Sequence, residues 1–169
     1  TMKALEGERR PMLTFGVERG DVHAANLTVR GGFASFDVVY RGERYAHLEL
    51  SVPGMHNVQN AMATAAAAIV LGVPGSAVEQ GMRTFRLPGR RFEDKGRYHG
   101  AQVCDDYAHH PSEVEALLDT ARQLPYQRVV LAFQPHTYSR THELFDDFVQ
   151  VLQKADVTLL AEIFAARED

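Results

Sequence analysis

AQVCDDYAHHPSEVEALLDTARQLPYQRVVLAF, residues 101–133, decides how the second half of this chain is read. It opens on a short strand pattern, AQVCDD. Pro111 then begins a helical stretch over 111–124, at a first-turn position where a missing N–H is tolerated. RVVLAF at 128–133 is a continuous apolar run of strand length. Downstream, THELFDDFVQVLQKA at 141–155 puts Leu144, Phe148, Val151 and Leu152 on one helical stripe, and DVTLLAEIF at 156–164 is apolar again. The order is β-α-β-α-β with almost wholly apolar strands, which predicts a parallel sheet covered on both faces. Ligands bind outside the carboxyl ends of the strands of such a sheet. Three polar loops are therefore expected at one edge: DDYAHH at 105–110, FQPHTYSR at 133–140 and EIFAARED at 162–169.

The first half has a different pattern. ANLTVR, ASFDVVY and ERYAHLELSV alternate in part, and GG at 31–32 and RGE at 41–43 supply turns, so antiparallel strands are expected over 23–52. From about residue 57 an alanine-rich stretch is helix-prone and stops near Gly72. A shorter helix fits 75–84, with Ser76 as its N-cap. LPGRRFEDKG at 87–96 joins proline, glycine and clustered charge, the strongest boundary signal in the chain. The expected organisation is α/β: antiparallel strands and helices over 1–88, then a partial parallel β-α-β-α-β unit over 89–169.

Composition limits the function classes. Of 169 residues 45% are apolar, and 18 basic against 22 acidic side chains leave a net charge of -4. That balance gives no reason to expect a nucleic-acid or membrane-surface partner. Cys104 is the only cysteine, so neither an internal disulfide nor a thiolate cluster can form, and the usage fits a reducing compartment. TMKALEGERRPM at 1–12 has no apolar leader, and AMATAAAAIVLG at 61–72 is too short to span a bilayer. The chain begins on Thr1 and ends at Asp169 just after a strand pattern, which reads as a piece of a larger protein.

Several groups carry chemistry. Adjacent Asp105 and Asp106, at the end of a strand, point apart and are poor partners for paired acid chemistry; a single one could accept a ribose hydroxyl, or one could be solvated while the other caps the following helix. Arg90 and Arg91 lie in the expected hinge, where a guanidinium can grip phosphate bidentately or simply join a solvated cluster with Glu93 and Asp94. Asn57 and Asn60 share a helix face and could read a purine edge, or one could cap the helix while the other stays exposed. Ser139, Arg140 and Thr141 could bind a carboxylate or phosphate, or form an ordinary cap. His109, His110 and His136 lack the spacing of a metal site, so no metal is assigned. Cys104 sits beside two acids, which disfavour a reactive thiolate. No GxxxxGK[ST] loop occurs, so a complete ATPase site is not encoded here.

PGMHNVQNAMATAAAA, LPGRRFEDKG, DDYAHHPSE and FQPHTYSRT, in this order, resemble the Mur ligases, and the resemblance runs over almost the whole chain. It implies the end of a central ATPase domain joined to the start of a Rossmann-like C-terminal domain, with the hinge near 87–92. It implies ATP and Mg2+, the P-loop and metal ligands lying upstream. It also implies UDP-N-acetylmuramate and L-alanine as substrates, a bacterial cytoplasmic setting, a piece inactive by itself, and room for a homodimer of the intact protein. The family reaction phosphorylates the muramoyl carboxylate, and the amine attacks the resulting acyl phosphate. By motif, Asn57 and Asn60 match residues near adenine, Arg91 the arginine reaching the phosphates and Asp106 the ribose ligand. Tyr107, His110, His136 and Arg140 match loops facing the amino acid, with His110, Arg140 and Arg91 in catalytic roles. Thr137 stands where the family usually has a basic residue, and Met55 where an arginine is common. Two other readings remain: the related ligase that recycles a preformed tripeptide, and a non-catalytic nucleotide-binding module.

Overall fold

The structure is a computed structural model that describes residues 11–168. Most of the 1–12 leader reading, and the expected start of the first domain at residue 1, lie outside the described residues.

Strands Phe15–Gly16 (β1), Val22–Arg30 (β2), Phe33–Tyr40 (β3) and Glu43–Glu49 (β4) form one sheet in that order. β2 to β4 are antiparallel, and β1 runs parallel to β2. Both hairpin turns have positive φ at their two central residues, 55° and 85° at Gly31 and Gly32, 54° and 79° at Arg41 and Gly42. Such turns match the strand twist. Ala34, Phe36, Val38, Ala46 and Leu48 alternate to one face and bury against helix Met55–Val70 (α1) through Val58, Ala61, Met62 and Ala65. The alanines let the helix sit close to the sheet, and burying Phe36, Leu48 or Met62 contributes roughly 1.5–3 kcal/mol each.

Helix Gly75–Thr84 (α2) covers the β4 edge. Glu79 accepts from the His47 backbone N–H at 2.7 Å and the Tyr45 hydroxyl donates to the Val73 carbonyl at 2.6 Å. An edge that would otherwise pair with another chain is blunted in this way. Two helix starts differ from expectation. α1 begins at Met55 behind Gly54, and α2 behind Pro74, so Ser76 lies inside the first turn and does not cap it.

The second unit corrects the sheet reading. The 101–105 strand (Ala101–Asp105, β6) pairs antiparallel with Glu93–Tyr98 (β5), not with the parallel strands. His99 and Gly100, at φ 48° and 86°, fold one strand back on the other. EDKGRY is polar and broken by Gly96, so no apolar period announced it. The expected parallel β-α-β-α-β reduces, among the described residues, to Val130–Phe133 (β7) beside Val157–Leu160 (β8). Val130, Leu159 and Leu160 are exposed, so this pair is not covered on both faces. Helix Pro111–Gln123 (α3) supplies Val114 and Leu118 to a second core with Phe133, Phe148 and Val151. The helix expected over 141–155 is two, Tyr138–Glu143 (α4) and Phe145–Leu152 (α5), broken at Leu144. Its stripe survives: Phe148 and Val151 are buried, and Leu144 and Leu152 pack beside them.

The two units meet beside their linker. The Ser51 hydroxyl donates to the Phe85 carbonyl at 2.6 Å, tying Phe85 to the first. Tyr107 N–H donates to the Arg90 carbonyl at 2.8 Å and Phe92 N–H to Asp106 at 2.7 Å, tying 90–92 to the second. Opposite the linker, α3 approaches the start of α1. A methyl group on Gly54 would lie 2.4 Å from Thr120 Oγ1.

Candidate functional site

The chain enters α1 through Pro53 and Gly54, whose φ of 100° turns it sharply. Asn57 is thereby drawn inside: it is buried, and its side-chain amide donates to the Pro53 carbonyl at 2.7 Å. Its carbonyl oxygen faces the Asn60 amide at 3.4 Å, while Asn60 itself is exposed. One asparagine therefore braces the turn and holds the other, which faces outward.

Asp106 is set from the opposite unit. One carboxylate oxygen accepts from Phe92 N–H at 2.7 Å, the other from Ala108 N–H at 2.8 Å. The side chain thus joins linker and loop. A carboxylate has about four lone-pair directions, so it can still accept from a ligand. Asp105 goes elsewhere, 3.6 Å from Arg90, whose guanidinium also lies 4.7 Å from the Tyr107 ring centre. Arg91 is exposed and makes no ion pair among the described residues.

These pieces share a cavity of about 450 Å3, lined by His56, Asn57, Asn60, Arg91, Asp106 and Glu113 among others. Its walls come from the start of α1, the linker and the start of α3. Burial pushes the His56 imidazole below its usual value; Asp106 pulls it up and Arg91 down. The ring is held neutral at neutral pH and can both donate and accept. Glu113 closes the α3 capping box, accepting from His109 N–H at 3.0 Å and His110 N–H at 3.1 Å. Burial raises its pKa, but those two amides, with the charges of His109 and Arg91, leave it below the ordinary range. The helix cap is thus His110 with Glu113, not one of the two aspartates.

The four residues assigned to the nucleotide, Asn57, Asn60, Arg91 and Asp106, all reach this cavity, and the four assigned to the amino acid do not line it. Tyr107 is exposed beneath Arg90. His110 borders a second cavity of about 270 Å3 with Ser112, Glu115, Asp147, Gln150 and Lys154. His136 lies in the loop after β7 and Arg140 in α4, the helix which that loop leads into; Arg140 donates to the His136 carbonyl at 2.7 Å. The hydroxyl and amide of Ser139, expected to be open to an anion, are taken by Glu168. At Cys104, burial and the Asp94 carboxylate push the thiol up, away from nucleophile chemistry.

His56 and Glu113 had no functional role in the sequence reading. Glu113 was within reach of it, because HPSE places a glutamate three residues after a capping position. His56 carried no signal beyond its place before Asn57.

Comparison with known proteins bears on both halves. The family model for the Mur ligase middle domain matches residues 1–68, and that for the Mur ligase glutamate ligase domain matches 90–169. The chain is 47% identical over 157 residues to a UDP-N-acetylmuramate–L-alanine ligase of Clostridium novyi, covering 93% of this chain and 34% of that protein. It is 45% identical to the Salinibacter ruber ligase of the same name, over 99% of this chain and 36% of that one. A solved UDP-N-acetylmuramate–alanine ligase from Thermotoga maritima superposes with a TM-score of 0.75 at 34% identity, over 90% of this chain and 34% of that one. The chain spans about a third of the length of the curated relatives it matches.

Proposed function

This chain belongs to the Mur ligase family, and on that premise we propose that the intact protein is an ATP-dependent ligase joining L-alanine to UDP-N-acetylmuramate. The observation that carries the reading is the cavity in which Asn57, Asn60, Arg91 and Asp106 converge from three segments. Its volume of about 450 Å3 and its few convergent polar groups suit a small polar ligand.

ATP would supply the phosphoryl group that activates the muramoyl carboxylate, and Mg2+ would offset phosphate charge, with its ligands assigned upstream of this chain. The residues present fit the nucleotide. Asn60 presents its amide to the purine, with Asn57 fixing it from below. Asp106 accepts ribose hydroxyls through its remaining lone pairs. Arg91, an exposed cation on the cavity wall, meets the phosphates and opposes the charge that develops on transfer. His110, His136 and Arg140 act on the second-unit side, where the amine and its carboxylate are to be held; Tyr107 lines the approach.

The family boundary is proposed at 88/89. Phe85 is tied to one unit and Arg90 to the other, which leaves 86–89 as the pivot. Because 90–92 are bonded to the Asp106 loop, Arg91 and Asp106 travel together and close on Asn60 as a unit. Closure of that kind shields an acyl phosphate from water. A bacterial cytoplasmic location goes with these substrates; no helix of the described residues is long and apolar enough to cross a membrane.

The test is phosphate release by the intact protein with ATP, Mg2+ and UDP-N-acetylmuramate, adding L-alanine or the tripeptide in parallel. Alanine-dependent release with the amide product seen by mass is expected. Tripeptide-dependent release would transfer the protein to the recycling branch, and no release with either would leave a nucleotide-binding module.

A further inference from the structure

Three contacts fasten the loop after β7 and the start of α4 to the loop after β8. Gln134 donates to the Glu162 carbonyl at 3.2 Å. Phe164 N–H donates to the Pro135 carbonyl at 2.9 Å, and the His136 and Phe164 rings lie 5.4 Å apart. The third contact is the only charged one of the three: the Glu168 carboxylate accepts from Ser139 N–H at 2.9 Å and from the Ser139 hydroxyl. The Thr137 hydroxyl, 3.1 Å from that of Ser139, adds to the cradle.

This cradle encloses the turn that carries His136 and runs into the first turn of α4, which carries Arg140. Glu168 holds residues 137–139 from one side, and Arg140 grips the His136 carbonyl from within. Among the described residues Arg140 spends one N–H on that carbonyl, which leaves most of its five donors for a ligand. Bonds to an ionised acceptor are roughly twice as strong as neutral ones. Loss of the carboxylate would leave the turn to the neutral contacts at Gln134 and Phe164. Thr137 also gains a physical role, as part of the hydroxyl cradle for Glu168.

We propose that Glu168 is a positioning residue: it fixes the turn bearing His136 and Arg140 and thereby sets affinity for the amine substrate, not for the nucleotide. This rests on the ligase reading above. The geometry separates the two effects, because neither Glu168 nor the turn lines the cavity assigned to the nucleotide.

Glu168→Ala, Glu168→Gln and wild type are compared in the intact protein by steady-state kinetics and by amide hydrogen exchange at Ser139. Glu168→Ala is expected to raise KM for L-alanine roughly tenfold to a hundredfold, the scale of a displaced binding group. KM for ATP should stay within about twofold, Ser139 should exchange faster, and Glu168→Gln, which keeps an acceptor, should recover part of both losses. Faster exchange with an unchanged amine KM would overturn the proposal, as would equal rises in both KM values, the mark of general damage. Should wild type use the tripeptide instead of L-alanine, the same ratio read with the tripeptide decides the positioning role, while the substrate assignment alone fails. A wild type active with neither amine overturns both.

Discussion

Replacing Gly54 with alanine should disturb a close approach between the two units. The new methyl group would sit 2.4 Å from Thr120 Oγ1 and 2.8 Å from His56 Cε1. Thr120 cannot yield easily: it is 1% exposed, and its hydroxyl donates to the Ala116 carbonyl at 2.7 Å. The backbone adds a second cost, since φ at Gly54 is 100°, where an L side chain is strained. Strain of that kind costs about 1–3 kcal/mol, and overpacking a filled site costs about 1–3 kcal/mol. A combined loss of about 2–6 kcal/mol is expected. The assay is urea unfolding of the intact protein, with Gly54→Ala, Thr120→Ala and the double variant compared. The double variant should be more stable than the sum of the two single losses, because removing Oγ1 relieves the contact but not the backbone strain. Nucleotide affinity should fall in Gly54→Ala, since His56 and Asn57 are set by the same turn. A Gly54→Ala loss under about 0.5 kcal/mol, the range of a bland surface change, or strictly additive single losses, would refute the packing argument.

Three further outcomes are expected. Arg91→Ala should lower kcat by about tenfold or more with an unaltered melting temperature, because Arg91 is exposed and unpaired among the described residues; unchanged kcat and KM would remove its phosphate role. Asp106→Asn sets an N–H2 against one of two backbone donors, so nucleotide Kd by calorimetry should weaken and either the Phe92 or the Ala108 amide should exchange faster; an unaltered Kd would strip Asp106 of its ligand role. The bonds from Ser139 and Thr137, with the Ser139 and Tyr138 amides, hold the Glu168 carboxyl down from its usual 4.5 to about 2. A lowered value in the fold means that this contact stabilises fully above about pH 4.5 and is lost as pH falls towards 2. An NMR titration of the Ser139 amide should show a midpoint near 2 that rises in Ser139→Ala; a wild-type midpoint between 4 and 5 would contradict the contact.

The legible parts of the fold were those written in periodicity. Phe36, Val38 and Leu48 alternate into the first core, and Phe148 and Val151 fall on the predicted helical stripe. The hairpin Glu93–Tyr98 escaped notice because a polar, glycine-broken strand has no apolar period, and its partner then looked like the first strand of a parallel sheet. The break at Leu144 likewise left no trace in the stripe, which runs through it unchanged. At the site, the motif match singled out residues that do converge, Asn57, Asn60, Arg91 and Asp106. It missed how they are held. That Asn57 is buried under Pro53 depends on the sharp backbone turn at Gly54, and that Asp106 clamps the linker at Phe92 depends on a contact between residues 14 apart in sequence. The occupation of Ser139 by Glu168 was hidden for the same reason, the two lying 29 residues apart.

The central claim is an ATP-driven ligation through an acyl phosphate, and oxygen transfer tests it most directly. The intact protein is given ATP, Mg2+, L-alanine and UDP-N-acetylmuramate carrying 18O in both carboxylate oxygens. If the carboxylate attacks the terminal phosphorus and alanine then displaces phosphate, one labelled oxygen must leave with the phosphate while the other stays in the amide. Mass spectrometry should therefore find singly labelled phosphate matching the amide product one for one. Unlabelled phosphate, or label retained in full by the sugar nucleotide, would contradict the account.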